Sequence, residues 1–171
     1  MTLVAAVLAM LFAVAPAAAQ TWKEYAYPGD FFSVAFPAEP KVETVTWQAP
    51  DGRAAPARVY SAAQDGGMFR VTVADLPDPA LRESAVLDHA VGTLAQGKTI
   101  KVDIPHRISR VYGRQLSIAA PDGGYSSVAV FFHKQRLYQI EGTALPGAAN
   151  GTSDALRFQQ SLAFTDDSTN R

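Results

Sequence analysis

The sequence contains no cysteine. That excludes disulfide stapling, thiolate metal ligation, thiol nucleophilic catalysis and dithiol exchange, so stability must come from packing. It also lacks any run of like charge. Fifteen basic residues stand against 16 acidic ones, without the concentrated positive footprint that nucleic-acid binding needs. No nucleic-acid partner is expected. No apolar run reaches the about 20 residues that a bilayer-crossing helix requires; the longest, Leu3 to Val14, falls short. The local motifs that announce chemistry are missing too. There is no G-x-S-x-G elbow, no phosphate loop G-x-x-x-x-G-K-[ST], and no H-x-x-x-H or H-x-H pair.

What is present begins with that apolar run. Ala17-Ala18-Ala19 follows it with small residues, the pattern of a cleavable secretory signal over residues 1–19. No Lys or Arg precedes the run, a departure from the usual signal, and no Cys follows to accept a lipid anchor. The mature chain is expected in the periplasm or the medium, without stable membrane insertion after signal cleavage. The Ala-rich, cysteine-free composition points to a bacterial source, in which the sequon Asn150-Gly151-Thr152 carries no meaning. Residues 20–165 are long enough for one ordinary core and are read as a single domain. Residues 166–171 are read as a frayed polar tail.

Two-residue periodicity dominates. Phe32, Val34 and Phe36 share one strand face, and Phe31, Ser33 and Ala35 the other, before Pro37 and Pro40 end the run. Such a strand is core, with an exposed peptide-binding edge as the alternative. KVETVTWQ, RVYSAA and MFRVTVAD are further strands, the last with Phe69, Val71 and Val73 inward and Arg70 and Thr72 outward. The period then becomes helical. Asp78 reads as the N-cap and Pro79 as the first helical residue. Val86, Leu87, Ala90, Val91 and Leu94 form the buried stripe, and Gly97 the stop. Gly92 weakens this helix by about 1 kcal/mol relative to Ala and suggests close packing on a sheet. TIKVDI, RVYGRQLSIAA, YSSVAVFFH and RLYQIEGTA return to strands, the last two forming a hairpin around Lys134 and Gln135. A short closing helix carries Ala155, Phe158 and Leu162 on one side. The expected class is α+β: a largely antiparallel sheet of about seven strands, covered by two main helices.

Several of these segments also carry a likeness. The aromatic strand closing on Phe36-Pro37-Ala38-Glu39-Pro40, the helix after the fourth strand, the run RLYQIEG, and the helix ending in RFQQSLAF (Arg157 to Phe164) together resemble bacterial secreted relatives of the PsbP-like fold. That fold is shared by an oxygen-evolving-complex subunit and by a nuclear import factor that binds a small GTPase. The resemblance covers Trp22 to Phe164 and implies an antiparallel sheet sandwiched between helices. It implies no activity, and no functional residue of either relative can be matched to a position here.

Candidate chemistry is sparse. Asp75, Asp78 and Glu83 gather at the helix entry, where capping and the helix dipole account for them. His89, His106 and His133 are scattered, with His89 opposite the apolar stripe and therefore expected in solvent. Ser126-Ser127 reads as an exposed face or turn, and Gly66-Gly67 and Gly123-Gly124 as hairpin turns. Arg107, Arg110 and Arg114 lie beside Tyr112, with Arg110 and Arg114 expected on the same strand face as the ring. They fit a protein or anion contact, or a charged strand edge that resists aggregation. No catalytic, cofactor-binding or metal-binding residue is assigned, and no cofactor is expected. The reading is an exported, non-catalytic binding or accessory domain whose partner is another envelope protein. The alternatives are a hydrolase assembled from distant residues, with two histidines and a carboxylate in one pocket, and a carrier enclosing a small apolar ligand.

Overall fold

The computed structural model describes residues 22–165; the signal expected at 1–19 and the tail at 166–171 lie outside the described residues. Ten strands and two helices follow one another: β1 (Lys23–Tyr27), β2 (Phe32–Phe36), β3 (Lys41–Gln48), β4 (Ala54–Gln64), β5 (Gly67–Asp75), α1 (Glu83–Leu94), β6 (Thr99–Ile108), β7 (Val111–Ala119), β8 (Tyr125–His133), β9 (Arg136–Ala144), α2 (Gly151–Gln160) and β10 (Ala163–Phe164). Seven strands form one sheet, ordered β3-β4-β5-β9-β8-β7-β6, and three form a second, ordered β1-β2-β10. Every pairing is antiparallel. The expected α+β class holds.

The large sheet is apolar on both faces. One face packs on the stripe of α1, where Val86, Leu87, Ala90, Val91 and Leu94 are all buried against Leu116, Ile118, Val128, Val130 and Leu137. The other face carries Phe69, Val71, Val73, Phe131, Tyr138 and Ile140, and is roofed by the small sheet and α2. Phe32, Val34 and Phe36 descend from β2 into this layer with no exposure, and Phe158 of α2 packs against Phe36 (centroids 4.9 Å apart) and Phe69 (5.3 Å). β2 is the middle strand of its sheet, so the phenylalanine-rich run is core and no edge.

Covering both faces explains where simple alternation misleads. Thr72, expected outward, is buried, as are Ser126 and Ser127, expected exposed. Thr72 shares its face with Ala74, which belongs to the cluster under α1. Phe31 does not continue the strand. It adopts a left-handed conformation (φ 56°) as it ends the 3-10 turn Pro28–Asp30, and its N–H bonds back to the Pro28 carbonyl.

Two expectations about α1 fail. The helix starts at Glu83, with Arg82 in the N-cap position. Asp78 closes a turn instead: its Oδ1 accepts the Ala80 N–H (2.8 Å) and its carbonyl the Leu81 N–H. Arg53 also holds the Asp78 carboxylate, which keeps this residue in the turn and away from the cap. Gly92 is exposed and has no neighbour within 4 Å of where a Cβ would sit. The glycine that permits close packing is Gly142 on β9. A Cβ there would stand 2.5 Å from the Ala155 carbonyl oxygen and 2.7 Å from its Cα, so α2 lies with its backbone directly on the sheet.

Gln159 of α2 is fully buried, and neither of its amide atoms finds a partner among the described residues. Gly142→Ala is expected to lift α2 and to lower stability by about 1–3 kcal/mol. Gln159→Met removes two unpaired polar atoms at similar volume and is expected to raise stability by about 1 kcal/mol. Urea unfolding followed by tryptophan fluorescence checks both, the two midpoints moving in opposite directions.

Candidate functional site

The β3–β4, β6–β7 and β8–β9 turns, the β1–β2 turn and the segment after β5 all meet at one end of the large sheet, as the registers Asp75↔Arg136, His133↔Arg136 and Ile108↔Val111 require. Here the chain builds a closed square of charge. Arg58 of β4 donates from Nε to Asp30 (2.7 Å) and from both terminal nitrogens to Asp75 (2.7 and 3.0 Å). Arg136 of β9 donates to Asp75 (2.9 Å), to Asp30 (3.3 Å) and to the Gly29 carbonyl (2.9 Å). The Tyr60 hydroxyl donates to Asp30. Asp30 is only 6% exposed, and its charge is tolerable there because two guanidiniums and a phenol surround it. The Arg58 guanidinium holds the Asp75 carboxyl below the usual carboxylate range, against the opposing effect of burial. Asp75 in turn raises Arg58. Burial, reinforced by Asp30, pushes the Tyr60 hydroxyl above its ordinary value. Arg136 also stacks 5.1 Å from the centre of the Phe31 ring, beside the Lys134 ammonium at 5.0 Å.

Beside this square lies an open cleft of about 460 Å³ between the β3–β4 turn and the segment after β5. Its floor is Ala49, Ala55, Pro56, Leu76 and Leu81, and its rim is Arg53, Asp75 and Asp78. Arg53 is held by Asp51 (2.8 Å from Nε) and by Asp78. The Arg53 side chain lowers Asp51, and the Ala80 N–H followed by Arg53 lowers Asp78. Asp51, Asp75 and Asp78 are thus each paired with an arginine, and no hydroxyl or imidazole lines the cleft. Of the three acids expected to cap the helix, Asp75 belongs to the square and Asp78 to the rim; Glu83 alone stands in the first turn of α1.

The three histidines are dispersed. His89 is half-buried, contrary to expectation, because its ring packs edge-on against Trp47 (5.3 Å) with Nε2 2.9 Å from the Gln48 carbonyl oxygen. His106 lies 5.6 Å from Phe131, and burial lowers its pKa. His133 lies 5.4 Å from Phe164. Phe131 and Phe164 belong to the layer opposite α1, so the sheet separates His89 from the other two. Among the described residues, no group of three or more His, Asp or Glu is placed to hold a metal ion.

No protein-family model matches the chain, and no curated protein does. Its structure is similar to the solution structure of cyanobacterial PsbP (CyanoP) from Synechocystis sp. PCC 6803, with a TM-score of 0.56 over 90% of this chain and 98% of that one. The chain has a PsbP-like fold. At 12% identity the likeness is one of fold alone.

On this PsbP-like sheet the arginines expected beside Tyr112 separate. Arg114 turns to Asp103 (3.0 Å from Nε) and to Asp88 of α1 (2.6 Å), away from any external role. Arg110 sits in the β6–β7 turn and not on Tyr112's strand face. Arg107, paired across from Tyr112, is the cation over its ring, at 5.8 Å. The charge square lay beyond sequence reasoning: its four members come from four distant segments and each looks like ordinary surface charge.

Two predictions follow from the square. Asp30→Asn removes one of the two carboxylates that the partly buried Arg58 and Arg136 share, leaving them Asp75 alone, and is expected to cost about 1–3 kcal/mol, read as a shift of the urea midpoint. Asp75 has a lowered pKa in the folded state, so its contribution is complete above the unfolded value, about 3.9, and is lost as pH falls through the folded value. Thermal unfolding across that acid window is expected to slope less steeply in Asp75→Asn than in the parent.

Proposed function

We propose that this chain is an exported, non-catalytic binding or accessory domain of the bacterial cell envelope, working by docking to another envelope protein. The observation that carries this reading is the state of its cleft. General acid–base catalysis needs a group whose pKa lies near the working pH and which is free to take or give a proton. Here the rim carboxylates are driven the other way, each locked to an arginine. The hydrolase alternative needs two histidines and a carboxylate in one pocket, and no histidine lines this cleft. The PsbP-like fold is compatible with the reading and dictates no chemistry by itself. No helix among the described residues is long and apolar enough to cross a membrane, which agrees with a protein reaching its partner from the aqueous side.

The cleft's volume and apolar floor favour a second reading, a binder of a small apolar ligand, because small-molecule sites begin at about 300 Å³. A thermal-shift screen separates the two: a ligand that raises the melting temperature of the parent but not of Ala55→Trp establishes the binder.

The accessory reading is checked in the native host. The exported chain is expected to begin at Gln20 by mass spectrometry, and in-cell cross-linking is expected to recover one reproducible envelope protein. Turnover of a defined substrate, abolished by a single substitution in the cleft, would overturn it.

A further inference from the structure

The arginines at the turn-bearing end of the sheet divide sharply. Arg53, Arg58, Arg114 and Arg136 each reach two aspartates. Arg107 and Arg110, on the β6–β7 hairpin, have no carboxylate partner among the described residues. Both are exposed, and Tyr112, which pairs across from Arg107, is 61% exposed, the barest of the large apolar side chains among the described residues. Arg107 is the cation over that ring. The β8–β9 hairpin lies alongside, because Gly113 pairs with Phe131, and it brings Lys134 to the same end. Ser109 holds the tip in a left-handed conformation (φ 55°), which costs a residue other than glycine about 1–2 kcal/mol and sets Arg110 at the extremity of the turn.

Resting on the accessory reading above, the geometry points to this hairpin tip as the docking surface, with an acidic segment of the partner protein as its occupant. Guanidiniums present paired donors that match carboxylates. A tyrosine flanked by arginine is the composition of energetic centres in protein interfaces. The cations are fewer than the clusters of about four to eight that read anionic lipid surfaces, which sets a membrane aside in favour of a protein. The internal arginines cannot serve this role without breaking the charge square or uncoupling α1 from the hairpin.

The test uses the full exported chain and a fluorescein-labelled oligoglutamate peptide, with binding read by anisotropy. Binding is expected at low ionic strength and is expected to weaken as salt is added. The double variant Arg107→Gln/Arg110→Gln is expected to weaken binding about tenfold, about 1.4 kcal/mol. Tyr112→Ala is expected to lie between it and the parent. Arg114→Gln on the same hairpin is expected to leave binding intact. The double variant's unfolding midpoint is expected to match the parent's, since neither arginine holds an ion pair among the described residues.

Unchanged peptide binding in the double variant overturns the proposal. So does binding to phosphatidylglycerol vesicles that the peptide does not displace, which would identify a lipid surface. Binding that appears only once residues 166–171 are removed also overturns it, and identifies the chain's own Asp166 and Asp167 as the occupant. In cells, a double variant that still cross-links the same envelope protein refutes this surface and leaves the accessory reading standing. Absence of any cross-linked partner for the parent refutes that reading itself.

Discussion

A seven-stranded sheet with two apolar faces cannot keep water off either, and the rest of the molecule answers that requirement. α1 closes one face with a single stripe of five side chains. The other face is wider in its demand, because its residues are aromatic, and a small three-stranded sheet and α2 are needed to roof it. The close seating of α2 depends on one missing atom, the Cβ of Gly142. Where roof and floor meet at the turn end, contact is made through charge: Asp30 of the roof is gripped by Arg58 and Arg136 of the floor. The ion square is therefore a clasp between layers, in which each arginine meets both aspartates.

The same pairing organises the surface. A guanidinium shared between two carboxylates has little left to offer a visitor, while one that faces water retains its donors. On this end of the sheet, the first kind surrounds the cleft and the second crowns the β6–β7 hairpin. Structural and interaction roles are thus assigned to different arginines that sit only a few residues apart in β6 and β7, and Arg114 and Arg110 illustrate the division.

Periodicity made much of the fold legible. The five-residue stripe of α1, the inward row of Phe32, Val34 and Phe36, and the hairpin around Lys134 and Gln135 are each local patterns, and each is found where expected. The failures are non-local. Thr72, Ser126 and Ser127 look exposed because alternation reports one buried face and is silent about a second cover. The start of α1 was misplaced because Asp78 and Pro79 form a good cap by themselves, while in the fold the aspartate is drawn to Arg53, 25 residues away. The clasp was invisible for the same reason: Arg58 meets Asp30 across 28 residues and Asp75 across 17, and Arg136 meets Asp30 across 106. No spacing rule links such positions. The arginines beside Tyr112 were noticed because they are close in sequence, but only their partners show which of the three remain available.

The roof has a further consequence in its order of synthesis. Phe158, Leu162 and Phe164 are the last residues of the aromatic layer along the chain, and β10 joins β2, whose strand is made more than a hundred positions earlier. Until these three emerge, the floor built from β5, β8 and β9 has only the β1–β2 part of its roof. A polypeptide arranged in this way completes its aromatic layer only once nearly all of the described residues are present to pack together.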